Sequence, residues 1–168
     1  LKISEIKDLL IVQIVQYKNS TVSIENINID GLKLNDEPLS VINNNDSRIL
    51  WNGPKNWLLV STKKDLLNNF SEIFKEIDFA VTDLSHSKAI IELEGPDAKE
   101  VLKKGCPFNF NTLEKNYSIN STYNGIAFTV DMLDDNPDKV RLFTLRSFGE
   151  SFYHSITDAS LEFGFKTT

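Results

Sequence analysis

The amino-acid sequence predicts an α+β fold with a mainly antiparallel sheet and three helices. Short apolar and β-branched runs separated by turn-forming residues recur along the chain, which is typical of strands. Two segments have apolar residues at spacings of three and four, and a third follows a Gly-Pro pair, so these segments predict helices. Because there is no sustained βα alternation, the strands are expected to pair antiparallel. No repeat or linker divides the chain, and we expect a single domain over residues 1–168.

The first half of the chain contains a predicted strand and a predicted hairpin. Residues 11–15 read IVQIV, and isoleucine and valine favour a pleated surface over a helix. Residues 26–47 are rich in Asn, Asp and Gly, so they predict a loop with room for short strands. The apolar runs 48–51 and 57–60 flank the turn-forming pair Gly53-Pro54, which predicts a β-hairpin.

Two helices are predicted in the middle of the chain. The first covers residues 63–77, with Thr62 as its N-cap. Its apolar stripe consists of Leu66, Leu67, Phe70, Ile73, Phe74 and Ile77. The pair Gly95-Pro96 predicts a second, short helix over residues 97–104, which Gly105 is expected to end in a left-handed conformation.

The remaining strands are predicted over residues 79–81, 89–93, 121–133 and 139–146, with the last two flanking the acidic loop 134–138.

A third helix is predicted over residues 148–163. Ser147 and Glu150 fit a capping box at its start, and Gly164 stands where a C-terminal cap belongs. Its apolar face consists of Phe148, Phe152, Ile156, Ala159 and Phe163.

Composition limits the class of function. The chain has 18 Lys plus Arg and 24 Asp plus Glu, a net charge of −6, which disfavours nucleic acid as a partner. Cys106 is the single cysteine, so an internal disulfide and a multi-cysteine metal site are excluded. The longest apolar run, residues 9–12, is far shorter than the roughly 20 residues that span a bilayer, and no membrane partner is expected. No phosphate-binding glycine motif is present, which disfavours a nucleotide-dependent enzyme. The first residue is Leu1 rather than Met, so we expect a few residues to precede it.

Asp83, Ser85 and His86 are the residue types of an acyl-transfer triad. Residues one and two positions apart in an extended segment point to alternating faces, which argues against that chemistry. Two other interpretations stay open. In one, Asp83 and Ser85 hold the turn between two strands by side-chain to backbone hydrogen bonds. In the other, His86 projects onto a surface that meets another protein.

Three further groups have both a chemical and a structural interpretation. Cys106 could form a thiolate–imidazole pair with His86 or His154, but its place in Gly-Cys-Pro after a helix is typical of a small buried residue. The acidic residues Asp131, Asp134, Asp135 and Asp138 match no calcium loop and predict a solvated hairpin tip. His154 lies near the apolar face of the third helix, where a core-flanking or interface histidine is commoner than a metal ligand.

Five segments together resemble one family. Residues 53–60 resemble a GPxxWLL hairpin, and residues 83–88 contain DxSH. Residues 93–98 and 101–107 resemble a "L.GPdA.evLakGCp" pattern, and residues 146–150 contain Arg-Ser-Phe before the last helix. In this order they are similar to the gamma subunit of heterotetrameric sarcosine oxidase. The DxSH and GPdA segments are shared with glycine-cleavage aminomethyltransferases, so the resemblance implies their folate-binding-domain fold.

The resemblance implies a small subunit without a cofactor of its own. Its partners would be the alpha, beta and delta subunits, which in this family hold FAD, FMN, NAD, tetrahydrofolate and zinc. The complex would demethylate sarcosine oxidatively and pass the one-carbon unit to tetrahydrofolate, and a cytoplasmic location is expected. In the aminomethyltransferases an acidic residue in a later segment is catalytic. The comparable residues 123–128 contain no carboxylate, which speaks against independent folate chemistry.

We therefore expect no catalytic, cofactor-binding or metal-binding residue in this chain. Ser85, His86, Arg146 and Phe148 are the predicted partner-facing or fold-defining residues. For Arg146 a plain alternative is a surface ion pair, and for Ser147 it is the helix cap. Alternative functions are a stand-alone folate-binding or aminomethyltransferase-like one-carbon protein, or an assembly factor for another methylamine dehydrogenase.

Overall fold

The computed structural model describes residues 1–168, which form thirteen strands and three α-helices. The strands are β1 Lys2–Glu5, β2 Leu10–Gln16, β3 Asn28–Ile29, β4 Leu32–Lys33, β5 Val41–Asn43, β6 Ser47–Gly53, β7 Asn56–Ser61, β8 Phe79–Asp83, β9 Lys88–Glu94, β10 Ser118–Tyr123, β11 Ile126–Asp135, β12 Asp138–Leu145 and β13 Lys166–Thr167. The helices are α1 Phe70–Ile73, α2 Ala98–Lys103 and α3 Gly149–Ser160. Nearly all strand pairs are antiparallel, so the predicted α+β class is confirmed. None of the helices combines the length and the apolar character needed to cross a membrane.

The chain divides into two compact units. Residues 1–7 and 87–168, called here the terminal unit, contain both chain ends, and residues 8–86 form the inserted unit. The single domain expected over residues 1–168 is therefore described below unit by unit.

The terminal unit is built on a six-stranded sheet in the order β10-β11-β12-β9-β1-β13. Only the β1–β13 pair is parallel. Residues of one strand alternate between the two faces of a sheet, and Ile91 and Leu93 therefore point to the same side. That side carries the core of the unit, in which Leu142 of β12 and Phe152 and Ile156 of α3 are fully buried.

Helix α3 is the predicted last helix, with a different start. It spans Gly149–Ser160, a 3₁₀ turn extends it to Phe163, and Gly164 at φ +70° ends it as predicted. The start is a 3₁₀ turn of residues 146–148, and neither this turn nor α3 has a side-chain cap. The predicted capping box of Ser147 and Glu150 is therefore wrong. Phe148 is 47% exposed, so it does not belong to the buried face.

Helix α2 confirms the short helix after Gly95-Pro96, but Gly105 has another role than the predicted one. Its φ is outside the left-handed region. A Cβ at position 105 would lie 2.6 Å from Cζ of Tyr123, whose ring is fully buried. Glycine is required here because the aromatic ring of β10 packs directly on the backbone that follows α2.

The predicted strand 121–133 is two strands. β10 and β11 form a hairpin in which Tyr123 pairs with Ile126. The two residues between them, Asn124 and Gly125, have φ values of +48° and +84°. Positive φ at both positions is the requirement of a type I′ turn, for which Asn-Gly is the preferred sequence. The Asn-Gly pair was a turn signal that the prediction of one strand over residues 121–133 did not use.

The inserted unit contains a five-stranded antiparallel sheet in the order β5-β6-β7-β2-β8. The predicted β6–β7 hairpin around Gly53-Pro54 is confirmed, with Trp51 opposite Trp57. Trp57 is 1% exposed, and its indole N–H donates to the Asn35 carbonyl at 2.6 Å. The predicted loop 26–47 contains the short strands β3, β4 and β5.

The predicted helix 63–77 is mostly not α-helical. Residues 64–69 form a 3₁₀ helix, and α1 covers only the four residues Phe70–Ile73. Thr62 makes no cap to it, because the 3₁₀ helix begins after Lys63. Phe70 and Phe74 are buried as the spacing predicts, whereas Ile77 is 85% exposed. The helix ends too early to carry Ile77 onto its apolar face.

Candidate functional site

Ser85 and Asp83 hold the end of β8 against β2. The Ser85 hydroxyl donates to Oδ1 of Asp83 at 2.6 Å, and the Ser85 backbone N–H donates to the same oxygen at 2.9 Å. The backbone N–H of Ile11 donates to Ser85 Oγ at 3.0 Å. The hydrogen bond from the Ser85 hydroxyl lowers the pKa of the Asp83 carboxyl most, and the bond from the Ser85 backbone N–H lowers it further. The predicted turn function is confirmed, and the hydroxyl is used within the fold.

His86 follows this turn and is exposed. The electrostatic effect of its imidazole is the least of the causes that lower the pKa of Asp83. It forms no hydrogen bond or ion pair with Ser85, so the three triad residue types are close in sequence without forming a triad. His86 stays a predicted partner-facing residue.

The start of α3 is anchored on β9 through its backbone. The Arg146 N–H donates to the Ser87 carbonyl at 2.9 Å. A Cβ at Gly149 would lie 2.9 Å from the Cβ of Ala89, so glycine allows the helix to approach β9 closely. The structural role of the Arg-Ser-Phe-Gly segment is therefore to hold the start of α3 on β9, through the backbone of Arg146 and the missing side chain of Gly149.

The side chains of this segment point outward instead of serving the fold. Arg146 and Ser147 are exposed and make no ion pair or hydrogen bond through their side chains. Both plain alternatives, a surface ion pair for Arg146 and a helix cap for Ser147, are therefore wrong. Leu145 and Phe148 are each 47% exposed. What remains is an exposed apolar pair with an unpartnered guanidinium beside it.

Cys106 is buried at 5% exposure, as its Gly-Cys-Pro position predicts. Its thiol donates to the Ser121 hydroxyl at 3.2 Å, so the bonded partner of the thiol is a serine and not an imidazole. His154 is exposed on α3. The structure does not bring the residues of a thiolate–imidazole pair together.

The acidic hairpin between β11 and β12 is tied by lysines. Lys115 pairs with Asp134 at 3.2 Å, and Lys99 pairs with Asp138 at 3.3 Å. The Asp135 backbone N–H, followed by the Lys115 side chain, lowers the pKa of Asp134. Asp131 is fully buried in β11, so it is not part of the predicted solvated tip. No group of three or more candidate ligand side chains is placed to hold a metal ion.

Sequence reasoning missed a buried ion pair on β9 and β12. Glu92 is 8% exposed, and its Oε1 accepts a hydrogen bond from Nε of Arg141 at 2.8 Å and lies 2.6 Å from Nη2 of the same guanidinium. Lys139 lies 3.4 Å from the other oxygen. The signal was present, because Glu92 and Arg141 each stand directly between two apolar residues of a predicted strand. A buried charge requires such a partner.

A shallow, mostly polar depression of about 460 Å³ lies beside α3. Its lining consists of Lys104, Tyr123, Asn124, His154, Ser155, Asp158 and Ala159. The Lys104 ammonium already pairs with Glu162 at 2.8 Å and donates to the Ala159 carbonyl. Pockets that bind small molecules or cofactors are mostly apolar with a few polar groups. This depression has the opposite character.

The family described as "Sarcosine oxidase, gamma subunit family" matches residues 25–162. The protein "Sarcosine oxidase subunit gamma" of Corynebacterium sp. (strain U-96) is 29% identical over 116 residues. Those residues are 68% of this chain and 57% of that protein. The match thus spans little more than half the length of the curated relative.

Two solved structures share the fold. A chain of "Heterotetrameric Sarcosine Oxidase from Corynebacterium sp. U-96 in complex with pyrrole 2-carboxylate" superposes with a TM-score of 0.85 at 24% identity, over 96% of this chain and 84% of that one. Glycine cleavage system aminomethyltransferase T from Bartonella henselae gives a TM-score of 0.64 at 11% identity, over 99% of this chain and 47% of that one. The predicted likeness to the aminomethyltransferase fold is confirmed.

Proposed function

Since this chain belongs to the sarcosine oxidase gamma subunit family, we propose that it is a non-catalytic subunit of a heterotetrameric sarcosine oxidase. In this proposal it acts by binding the alpha, beta and delta subunits in the cytoplasm. The complex would demethylate sarcosine oxidatively and transfer the one-carbon unit to tetrahydrofolate. FAD, FMN, NAD, tetrahydrofolate and zinc would be held by the other subunits.

The family match over residues 25–162 is the observation that carries this proposal. The use of the motif residues supports it. Ser85 and Asp83 bond to each other and to β2, Gly105 and Gly149 allow close packing, and the Cys106 thiol is buried. These contacts stabilise turns and packing, which supports a structural role for the motif residues.

Co-expression tests the proposal. We expect this chain, carrying an affinity tag, to purify together with the alpha, beta and delta subunits of the same organism as one species of constant stoichiometry. That species should consume oxygen with sarcosine. Leaving this chain out should prevent assembly of an active complex. A complex that assembles and turns over at the same rate without this chain would contradict the proposal.

The alternative is a stand-alone folate-binding protein, and the shared fold with aminomethyltransferase T favours it. Calorimetric titration of the isolated chain with tetrahydrofolate distinguishes the two functions. Saturable micromolar binding would favour the alternative. The proposed subunit function predicts no heat of binding, because residues 123–128 hold no carboxylate and form a tight hairpin.

A further inference from the structure

One end of the β9–β12 pair combines two unpartnered cations with two exposed apolar side chains. We call this group, Lys88, Leu145, Arg146 and Phe148, the cationic corner. We propose that the cationic corner binds a segment of a partner subunit that carries Asp or Glu next to an apolar side chain. This inference rests on the proposed function, which it deepens by naming the chemistry of the bound segment.

The backbone brings the four residues together. Lys88 and Leu145 are register partners on β9 and β12, so their side chains lie side by side on the same face of the sheet. The backbone N–H of Arg146, the residue after Leu145, donates to the Ser87 carbonyl and thereby holds Arg146 next to the start of β9. Phe148 is the last residue of the 3₁₀ turn 146–148, which begins directly after Leu145. All four residues belong to the terminal unit.

The charges of this pair of strands differ between its two ends. Toward the acidic hairpin, Lys139 pairs with Glu92 and Glu94, and Arg141 pairs with Glu92. At the cationic corner neither Lys88 nor Arg146 has a carboxylate within ion-pair distance, although the chain has a net charge of −6. The two cations are therefore open to an acidic group from outside the chain.

The lack of a carboxylate partner matters most for Lys88, because this residue is half-buried. Burial lowers the pKa of its ammonium group, and no carboxylate counteracts that shift. A partly desolvated ammonium without a counterion is unfavourable in the isolated chain. A partner carboxylate placed beside it would remove this cost and raise the pKa again.

The apolar half of the cationic corner favours a protein segment over a free anion. Leu145 and Phe148 are both 47% exposed. An aromatic side chain next to arginine is the combination enriched in the central part of protein interfaces. A phosphate group would satisfy the two cations and leave the leucine and phenylalanine in water.

The test uses the co-expressed complex of this chain with the alpha, beta and delta subunits. Treatment with a carbodiimide joins a lysine amine to a carboxylate that touches it, with loss of water. We expect an amide between Lys88 Nζ and an Asp or Glu of a partner subunit, identified by mass spectrometry of the digested complex. A cross-link from Lys88 to a second copy of this chain would overturn the proposal, and so would an assembled complex in which Lys88 forms no cross-link.

Charge reversal provides a second measurement. Lys88→Glu combined with Arg146→Glu should weaken association with the partner subunits at least about tenfold, because like charges then face each other. The matched control is Lys18→Glu, since Lys18 is exposed on the inserted unit and makes no ion pair. It should leave association unchanged. Equal association of the double variant and the wild-type chain would overturn the proposal.

These outcomes are distinct from failure of the proposed function. If the wild-type chain does not assemble with the partner subunits at all, the proposed function fails and this inference fails with it. If the wild-type chain assembles and Lys88 has no acidic neighbour, only this inference fails. Thermal melts of the isolated variants check that both are folded. If a variant does not fold, the cross-linking experiment on the wild-type complex still tests the proposal.

Discussion

The backbone of Gly105 lies against the phenol end of the Tyr123 ring, so closely that a Cβ at position 105 would be 2.6 Å from Tyr123 Cζ. The Tyr123 hydroxyl also donates to the Val101 carbonyl at 3.0 Å, and burial raises the pKa of this hydroxyl to about 12. The tyrosine thus joins β10 to α2 by contact and by hydrogen bond. Gly105, the glycine of the Gly-Cys-Pro motif, leaves the space that the Tyr123 ring occupies.

Gly105→Ala should destabilise the chain by about 1–3 kcal/mol, because the added methyl group overpacks a rigid contact. Urea unfolding of the isolated chain measures the change. Lys103→Ala, in the last turn of α2, is the control, since its ion pair with Glu100 is on the surface and should contribute less than about 1 kcal/mol. A Gly105→Ala variant as stable as the wild-type chain would show that the ring can move away.

Ser85→Ala should cost about 1–3 kcal/mol, because the buried N–H of Ile11 loses its acceptor. The Asp83 carboxylate loses a donor in the same variant. Ser87→Ala is the matched control two residues away, since Ser87 is exposed and its side chain makes no hydrogen bond. Equal melting temperatures of the two variants would contradict the role assigned to Ser85.

The stability contribution of Asp83 should depend on pH in the acid range. The Ser85 hydroxyl, followed by the Ser85 N–H, lowers the folded-state pKa of Asp83 below the unfolded value of about 3.9. Ionised Asp83 therefore stabilises the folded chain, fully above that unfolded value and less as the pH falls through the folded-state pKa. The difference in unfolding free energy between wild type and Asp83→Asn should shrink on acidification below about pH 4.

Urea titrations at several pH values measure this difference. Asp65→Asn serves as the control, because Asp65 is exposed and makes no ion pair. Its difference from the wild-type chain should stay small and constant. A wild-type to Asp83→Asn difference that grows toward low pH would have the wrong sign for a carboxylate stabilised in its charged form.

Ser147→Ala should change the free energy of unfolding by less than about 0.5 kcal/mol, as is usual for an exposed side chain without bonds. The capping-box pattern predicts a loss of about 1 kcal/mol instead. The structure decides between them, because α3 begins after a 3₁₀ turn without a side-chain cap. A loss near 1 kcal/mol in a thermal melt would restore the capping box.

Phe148→Asp should leave the isolated chain folded and weaken its association with the partner subunits about tenfold or more, as expected for an aromatic side chain in an interface. The folded state is preserved because Phe148 is 47% exposed. Ile77→Asp, at an 85% exposed position of the inserted unit, is the control. Co-purification yields of the two variants should differ, and equal yields would remove Phe148 from the interface.

Local patterns predicted the elements that depend on neighbouring residues. The β6–β7 hairpin, strands β8 and β9 and, apart from Phe148, the apolar face of α3 lie where alternation, Gly-Pro and helical spacing place them. The Asn124-Gly125 turn was also readable, since positive φ at two successive residues is a local property. The prediction of a single strand over residues 121–133 did not take this pair into account.

The sequence was sufficient to select most residues of the candidate site. It did not predict which of their side chains are bonded within the fold and which are exposed without a partner. The motif comparison selected Ser85, His86, Arg146 and Phe148, but a motif does not distinguish a side chain that is hydrogen-bonded within the fold from one that is free. The structure shows that Ser85 is bonded to β2 whereas Arg146 is unpartnered. Lys88 was not selected at all, because its register opposite Leu145 arises from strand pairing over more than fifty residues.

The order of residues alone was sufficient for the α+β class, the family and the absence of an internal disulfide, since these depend on composition, period and motif. Long-range packing was needed for the rest. Only the folded chain places a tyrosine ring on Gly105, buries Glu92 with Arg141 and leaves two cations without a carboxylate. Such contacts join residues that are far apart in the chain, and no local preference encodes the distance between them.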